Sequence, residues 1–378
     1  MNKFPILYKR TSKNQIQQWQ VIANGNSYYT LEGIVDGKIT QSEPHICEGK
    51  NPGKANETTA TEQAYKEAQS THEKKLRRGY MTSVESVDET SFEKPMKGDT
   101  WADRREEVIY PVLVSDKLNG IRVRINKTRA FSTGGETFYT IPHIHKALKA
   151  LFTKYPDLVL DGEGFNYELR ENLNRLIKLL SVLTKEKDLT PELLAESEKI
   201  VQFHIFDAYG YKGITKETPY SERYFALVKL LHDNKIDKRI IKYVNVDKVD
   251  SEEKIMMLFA ANKILHGEGL IIRWGDCPYK HGRSKYLLKL KHFEDAEFEI
   301  VDLEEGNGDW AGAAKRACMK MKDGTTFNSN ILGSYPELKK MLQNKKKVIG
   351  EIGTVRYQHL SEYNVPQIPW LIAIRNYE

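Results

Sequence analysis

The pattern of hydrophobic residues changes near residue 292, and this change limits the possible folds of the chain more than any other sequence feature. Between Tyr110 and Lys291, strand-like segments such as Val112–Val114 alternate with helix-like segments such as Ile144–Phe152. Beyond that point the apolar segments are short and nearly all strand-like. The switch predicts a mixed α/β domain followed by a separate domain built of strands.

The last segment, residues 292–378, has the pattern of a small barrel. Its predicted strands are Phe298–Leu303, Cys318–Lys322, Thr325–Asn328, Val348–Tyr357 and Trp370–Ile374. Asp323 and Gly324 predict a hairpin turn, and a helix is predicted over Tyr335–Asn344. Five short strands with one helix are typical of an OB-type barrel.

The first segment, residues 1–92, predicts a small α+β domain. Two strand-like runs, Gln17–Ala23 and Tyr28–Ile34, precede a polar helix from about Thr58 to Arg78. Residues 83–105 lack apolar periodicity and read as a linker. The predicted domains are therefore 1–92, 93–291 and 292–378, in keeping with a length of 378 residues.

Composition excludes several classes of protein. There is no apolar run of the roughly 18 residues that a membrane-spanning helix requires, and the run Phe4–Tyr8 is too short for a signal peptide. We therefore expect a cytoplasmic protein with no membrane partner. The net charge of +6, from 58 basic and 52 acidic residues, suits a polyanionic partner. Cys47, Cys277 and Cys318 lie far apart without CxxC spacing, which argues against disulfides and a cysteine-based zinc site.

A lysine at the end of an apolar strand is the first candidate for chemistry. Lys117 follows Val112–Val114 and precedes Gly120 and a strand, Ile121–Ile125, on which Arg122 and Arg124 predict a basic face. A lysine at its ordinary pKa is almost fully charged at pH 7, so a nucleophilic role requires further positive charge or desolvation nearby. The alternative is a surface lysine before a hairpin.

Lys289 and Lys291 supply further positive charge. Strand alternation puts them on one face of Lys285–Lys291, opposite Leu288 and Leu290. Two neighbouring lysines on a rigid strand suit an anion such as a polyphosphate. The alternative is a solvated edge strand, which charged residues commonly protect from aggregation.

Two carboxylates and an aromatic ring complete the candidate site. Glu163 lies at the end of a strand after a glycine, and Glu268 precedes the strand Gly269–Trp274. Mg²⁺ prefers one or two carboxylates, so these glutamates are candidate metal ligands. Phe206, at the end of the strand Gln202–Phe206, could stack on a purine or pack in the core.

In this order and spacing, these elements resemble the covalent nucleotidyltransferase superfamily, most closely the ATP-dependent DNA ligases of bacteriophage type. The resemblance runs from Lys94 to the C-terminus and includes Leu160–Arg170 and Pro219–Tyr224. It implies a multidomain α+β protein. An adenylation domain of mixed α/β sheets would precede a C-terminal OB-fold β-barrel and follow a small α+β domain.

The resemblance also implies catalytic roles for the cationic residues. Lys117 would become linked to AMP, and Arg122 would hold the phosphate end of the bound or transferred group. Lys289 and Lys291 would bind the phosphates.

The remaining site residues would bind the metal and the base. Glu163 would contact the ribose or the metal, and Glu268 would position the catalytic metal. Phe206 would stack on adenine, while Ser115 and the backbone of Asp116 would read its edge. The implied cofactors are ATP and Mg²⁺, with Mn²⁺ as an alternative.

The implied reaction is the sealing of 5′-phosphate/3′-hydroxyl nicks in duplex DNA through a lysyl-AMP intermediate and DNA-adenylate. The implied protein is a monomer, in the host cytoplasm if viral, and its partner is nicked double-stranded DNA. An RNA ligase, a capping-type nucleotidyltransferase or a catalytically weak nick-binding protein remain the alternatives. The long NAD-dependent ligases are disfavoured because no cysteine zinc cluster is present.

Several positions differ from the family pattern. Asn119 stands where aspartate is more common, Ser115 replaces a frequent glutamate, and Thr133 replaces the arginine of a Ser-Arg pair. The contact to the nick phosphate that Thr133 cannot make would either be lost or be supplied by Arg124 or Arg129.

The first segment is similar to the WGR domains that bind DNA ends. The similarity lies in Tyr29–Ile34 and Lys74–Tyr80, although the Trp-Gly-Arg triplet is absent. The alternative is a generic small α+β domain.

Overall fold

The structure is a computed structural model that describes residues 1–11, 13–88, 93–170, 172–180, 189–361 and 363–375. The chain divides into two units. One lies within Met1–Phe92, Glu294–Tyr357 and Pro366–Glu378, and the other within Glu93–Phe293 and Gln358–Val365. The predicted boundary at residue 92 falls among residues outside the described ranges. The division into three domains therefore stays a prediction.

The first segment is built on an antiparallel sheet whose centre is formed by its longest strands. The strands are β1 (Asn2–Lys3), β2 (Leu7–Arg10), β3 (Ile16–Asn24), β4 (Ser27–Ile34), β5 (Ile39–Gln41) and β6 (His45–Ile46). Helix α1 (Ala60–Arg77) begins at Thr59, whose side chain accepts the backbone N–H of Glu62 in a capping box. Trp19 and Ala68 belong to the shared core of sheet and helix. Both predicted strands and the predicted helix are present.

The second unit contains two five-stranded sheets and six helices in the described residues. The first sheet has the order β10 (Ala130–Phe131), β9 (Ile121–Ile125), β11 (Val159–Phe165), β12 (Gln202–Tyr209), β13 (Ile241–Tyr243). The second sheet has the order β14 (Asp247–Val249), β8 (Val112–Asp116), β15 (Gly269–Trp274), β16 (Gly282–Lys291), β7 (Met96–Thr100). The helices are α2 (Trp101–Arg104), α3 (Pro142–Lys154), α4 (Leu173–Leu179), α5 (Pro191–Ile200), α6 (Tyr220–Asp233) and α7 (Glu252–Ile264).

Both sheets are mostly antiparallel, with one parallel pair each, β12 with β13 and β16 with β7. The prediction of mixed α/β sheets is therefore confirmed. The predicted linker is wrong in part, because it contains β7 and α2. The local sequence gives no signal for β7. Its residues Met96, Gly98 and Asp99 are buried where β7 pairs with β16, about 190 residues later in the chain.

The end of the chain forms a closed barrel. Its strands are β17 (Glu294–Glu305), β18 (Ala314–Lys320), β19 (Thr326–Ile331), β20 (Ile352–Tyr357) and β21 (Trp370–Arg375), joined in the order β17-β18-β19-β21-β20. Helices α8 (Tyr335–Gln343) and α9 (Lys345–Val348) separate β19 from β20. All five predicted strands occur, but Val348 lies in α9 rather than in β20. No helix among the described residues is long and apolar enough to cross a membrane.

Candidate active site

Lys117 is fixed by the pairing of two central strands. β8 runs antiparallel to β15, with Ser115 opposite Ile271, and the Lys117 backbone N–H donates to the carbonyl of Gly269 at 2.8 Å. The Lys117 ammonium donates to the carboxylate of Glu268. The side chain of Glu268 is only 6% exposed, so this ion pair is largely shielded from solvent. The alternative of a free surface lysine is excluded.

The pocket next to Lys117 has a volume of about 360 Å³. It contains seven of the residues predicted from the sequence: Ser115, Asp116, Lys117, Arg122, Glu163, Phe206 and Lys289. Its other lining residues include Lys97, Arg273 and Thr133. Residues far apart in the chain thus converge on one cavity of the size that small ligands occupy.

Glu268 and Lys291 lie behind this pocket and connect to it through Lys117. Lys291 Nζ lies 3.2 Å from Oε1 of Glu268, while Lys117 contacts Oε2. The register of the sheet explains the arrangement, because Gly269 is opposite Lys291 on β16. One carboxylate therefore lies between two lysines, a set of charges that we call the lysine cluster.

Lys289 adds a third ammonium to the pocket. Burial is the main cause that lowers its pKa to about 8, and Lys117, Lys291 and Arg122 lower it further by repulsion. β16 lies between β15 and β7, so the alternative of a solvated edge strand is excluded. The crowding of cations disfavours the charged form of Lys289 until an anion is bound.

Arg122 is held by a carboxylate that the sequence analysis did not select. Its Nε and Nη2 donate to the two oxygens of Asp161, each at 2.7 Å, and Asp161 is fully buried. The hydroxyl of Tyr279 also donates to Asp161. Asp161 is two residues before Glu163 in a strand, so the same-face rule offered a signal for it. Tyr279 offered none.

Glu163 lies in the pocket wall, and burial raises its pKa to about 7. Arg122 and Lys117 oppose this shift, whereas Glu268 and Asp161 add to it.

The backbone beside Glu163 leaves little room for a side chain at position 120. A Cβ on Gly120 would lie 2.5 Å from the carbonyl oxygen of Gly164 and 2.7 Å from Cγ of Glu163. Gly120 is therefore required by close approach of β11.

Phe206 lies in the pocket rather than at a strand end, because β12 continues to Tyr209. Two guanidinium groups lie over its ring: Arg122 at 4.5 Å and Arg273 at 4.9 Å from the centroid. Arg273, on β15, is a pocket residue that the sequence analysis missed. It lies within the predicted strand Gly269–Trp274, whose pattern gave no indication that this side chain reaches the pocket.

Asp116 turns its side chain towards α7. Its Oδ1 accepts from Nδ2 of Asn262 at 2.8 Å, and Oδ1 of Asn262 lies 3.1 Å from Nε2 of His292. The side chain of Asp116 thus braces the strand end that carries Lys117. Asp116 also lines the pocket beside Ser115.

Of the two arginines on the predicted basic face of β9, Arg122 lines the pocket, whereas Arg124 is buried. Arg124 is 3% exposed, and its guanidinium donates to the hydroxyl of Tyr209 and the carbonyl of Glu93. The assignment of Arg124 to an external phosphate is therefore wrong, because its guanidinium is covered and bound within the protein. Arg129 donates to the carbonyl of Gly135 at 3.2 Å, and Thr133 lies in the pocket wall.

Comparisons with known proteins agree with this geometry. A family model described as "ATP dependent DNA ligase domain" matches residues 105–291. The DNA ligase of an African swine fever virus isolate is 28% identical over 358 residues, covering 88% of this chain and 79% of that protein. A DNA ligase of Haemophilus influenzae is 23% identical over 252 residues, covering 65% and 84%.

Solved structures show the same fold. One, from a structure-function analysis of Lig E DNA ligases, has a TM-score of 0.60 at 19% identity and covers 75% of this chain and 100% of its own. Another, titled Pmar-Lig_Pre, has a TM-score of 0.63 at 21% identity and covers 75% and 68%.

The lysine-centred pocket between two mixed sheets, followed by a barrel, defines a member of the nucleotidyltransferase superfamily. Within that superfamily, the family model that matches residues 105–291 describes an ATP-dependent DNA ligase domain, and the viral and bacterial relatives are DNA ligases. The chain belongs to the ATP-dependent DNA ligases.

Proposed function

We propose that this ligase seals nicks in duplex DNA through an intermediate in which AMP is bound to Nζ of Lys117. The observation that supports this role most directly is the position of Lys117, which enters a nucleotide-sized pocket beside Glu268 and near Lys289. Nicked DNA and ATP would be its substrates.

In the first step, Nζ of Lys117 attacks the α-phosphorus of ATP. A nitrogen–phosphorus bond forms, the bond to the bridging oxygen breaks, and pyrophosphate leaves. Lys117 has to release a proton before it attacks, and the carboxylate of Glu268 is the group to which this ammonium donates. Lys291 contacts the other oxygen of Glu268. Its positive charge offsets the negative charge of Glu268 and keeps the lysine cluster compact.

The triphosphate would lie near Lys289 and Lys291. Because burial and neighbouring cations lower the pKa of Lys289 to about 8, binding of a polyanion relieves repulsion that the empty pocket contains. Arg122 would contact the phosphate end of the adenylate while Asp161 keeps its guanidinium in place. Preorganised cations of this kind stabilise the charge on transferring phosphoryl oxygens.

Adenine would stack on Phe206, with Ser115 and the backbone of Asp116 at its edge. All three lie in the pocket wall. The guanidinium groups of Arg122 and Arg273 lie over this ring, and these cation–π contacts hold it in the pocket wall. An adenine base would share the ring with them or displace one.

A divalent cation fits the carboxylates present, with Mg²⁺ as the proposed metal and Mn²⁺ as the alternative. Burial raises the pKa of Glu163 to about 7, and a nearby cation would favour its charged form. Glu163 and Glu268 would hold the ion, which requires Glu268 to exchange one of its two lysine contacts. When bound, the ion would neutralise phosphate charge.

The later steps use the same pocket. AMP passes from Lys117 to the 5′-phosphate of the nick, which restores the lysine, and the 3′-hydroxyl then displaces AMP to form the phosphodiester. Each step develops charge on equatorial phosphate oxygens, so the lysine cluster and Arg122 would serve all three.

The WGR-like role of the first segment is also a proposal. It would add affinity for DNA, although one lysine of the stretch Lys74–Tyr80 makes contacts within the protein. Nζ of Lys75 lies 4.8 Å from the ring centroids of both Trp19 and Tyr80. Lys75 therefore packs on aromatic rings, and exposed Lys74 is the better candidate for DNA.

The decisive experiment follows label from α-labelled ATP into the protein. With Mg²⁺, the wild type is expected to retain label after denaturing electrophoresis, and Lys117→Arg is expected to retain none. Lys285→Ala is the matched control, because Lys285 is on the same strand as Lys289 but pairs with Glu107. Transfer of label to nicked DNA, followed by sealing, completes the test.

The same assay separates the alternatives. Label from GTP instead of ATP, or sealing of nicked RNA in preference to nicked DNA, would overturn the assignment of substrates. Tight binding of nicked DNA without any labelled protein would overturn the proposed lysyl-AMP step.

A further inference from the structure

Three metal-binding side chains converge in the first segment, far from the candidate active site in sequence. His45 belongs to β6 and Cys47 follows it, so the two are two residues apart and point to the same side. Glu67 comes from α1. Its Oε2 lies 3.5 Å from Nε2 of His45 and 3.7 Å from Sγ of Cys47, and the three ligand atoms lie within 4.8 Å of one another.

These distances match those of a tetrahedral zinc site. Zinc bonds of about 2.1 Å to nitrogen and oxygen and about 2.3 Å to sulfur, at tetrahedral angles, put nitrogen and oxygen about 3.4 Å apart and sulfur and oxygen about 3.6 Å apart. The two separations from Oε2 are 3.5 and 3.7 Å. The two separations from Oε2 are therefore close to those expected around one zinc ion, and the third ligand pair lies within 4.8 Å.

The orientation of Glu67 supports the same conclusion. Its other oxygen, Oε1, accepts from Nζ of Lys50 at 2.9 Å and from Nε2 of Gln63 at 2.8 Å. These contacts fix the carboxylate so that Oε2 faces His45 and Cys47. Hydrogen bonds of this kind orient the ligands in known metal sites and tune their affinity.

We propose that His45, Cys47 and Glu67 form a site for a zinc ion. Cys47 is 4% exposed, whereas the side chains of His45 and Glu67 are partly exposed, which gives the ion a route in and a fourth position for water. Coordination releases the thiol proton of Cys47 to solvent and gives a thiolate ligand. The ion joins the β6 end to α1.

The mixed ligand set explains why the cysteine pattern of the sequence did not predict the site. Only one cysteine contributes, and its partners are a histidine two residues away and a glutamate twenty residues on. The ion would stabilise the first segment, since binding to the folded form alone adds free energy of unfolding.

The test uses Co²⁺ and Zn²⁺ with the full-length chain, purified without a histidine tag. Cobalt is expected to give a thiolate-to-cobalt charge-transfer band that saturates at one ion, and zinc is expected to abolish it. This band reports the thiolate, so metal held by Glu163 or Glu268 does not contribute. Zinc is also expected to raise the melting temperature of the first segment.

Cys47→Ser is expected to abolish the band, and Glu67→Gln to weaken metal binding by at least about 100-fold. Cys318→Ser is the matched control, because Cys318 is a free thiol on a barrel strand. It should keep the wild-type spectrum. Circular dichroism without metal checks that each variant is folded. Absence of the band in the wild type, or its persistence in folded Cys47→Ser, would overturn the proposal.

Discussion

Two carboxylates in the second unit each lie between two cations, and their surroundings differ. In the lysine cluster, Glu268 contacts Lys117 and Lys291 beside an open pocket. On β12, Asp207 is 1% exposed and accepts both Nε and Nη2 of Arg223, at 2.8 and 2.9 Å, and Nη1 of Arg273 at 3.3 Å. We call this second set the arginine cluster.

The carboxylate of one cluster is paired with lysines and that of the other with arginines, and these two cations have different chemistry. Arg223 is fully buried and also donates to the carbonyls of Thr218 and Cys277, so its guanidinium is well satisfied and ties α6 to the sheet. Lysines are compact point charges with adjustable pKa values, which suits proton release and phosphate binding. We therefore expect the arginine cluster to stabilise the fold and the lysine cluster, beside a cavity, to be available for chemistry.

The largest expected effect separates chemistry from stability at the lysine cluster. Lys117→Ala should abolish the covalent AMP adduct and lower nick sealing by at least about 1,000-fold, because the nucleophile is gone. The free energy of unfolding, measured with urea, should fall by less than in the Asp207 variant described next, because Lys291 still pairs with Glu268 when Lys117 is removed. An equally large loss of stability would mean that the cluster is mainly structural.

The arginine cluster should respond in the opposite way. Asp207→Asn leaves the buried Arg223 without its anion and is expected to lower the free energy of unfolding by about 3 to 5 kcal/mol. Urea denaturation measures this loss. Asp237→Asn is the control, since Asp237 pairs with the exposed Arg239, and its effect on the free energy of unfolding should be much smaller than that of Asp207→Asn. Similar losses in both variants would contradict the distinction.

Packing behind the lysine cluster should have a smaller effect. Gly120→Ala puts a methyl group 2.5 Å from the carbonyl oxygen of Gly164, so β11 and Glu163 have to move. We expect a loss of about 1 to 3 kcal/mol in the free energy of unfolding and slower formation of the adduct. Gly275→Ala is the control, because its nearest neighbour would be 3.7 Å away. Equal behaviour of the two variants would show that this strand is more adaptable than its geometry indicates.

The smallest expected effect concerns pH. The pKa of Lys289 is lowered to about 8, so this lysine is charged below that pH and loses its proton above it. Pyrophosphate affinity, measured by calorimetry, should therefore fall by up to about tenfold from about pH 7 to about pH 9. Lys289→Arg should flatten this dependence because arginine stays charged. A wild-type profile as flat as that of the variant would exclude Lys289 as the titrating group.

Much of the second unit could be predicted because its local patterns are strong. The strand before Lys117 and the alternation around Lys289 occur as predicted. The barrel strands were also recognisable. Candidate residues such as Glu163 and Phe206 were selected for their position at strand ends, and both lie in the pocket.

Other features could not be read from local patterns. Strand β7 looked like a linker, since its burial comes from a partner about 190 residues away. Arg124 looked exposed because alternation separates two faces of a strand without revealing that both are covered. The residues His45, Cys47 and Glu67 come from the end of a strand and from a helix, and their spacing in the sequence matches no common metal-binding motif.

The sequence by itself determined which side chains are available and which of them share a face of a strand or helix, because backbone geometry repeats over a few residues. Tertiary structure alone decided that Lys117 meets Glu268, 151 residues later, and that Asp161 binds Arg122. Sheet register and the layering of elements set these distances. They depend on the free energy of packing the whole unit, which no short segment contains.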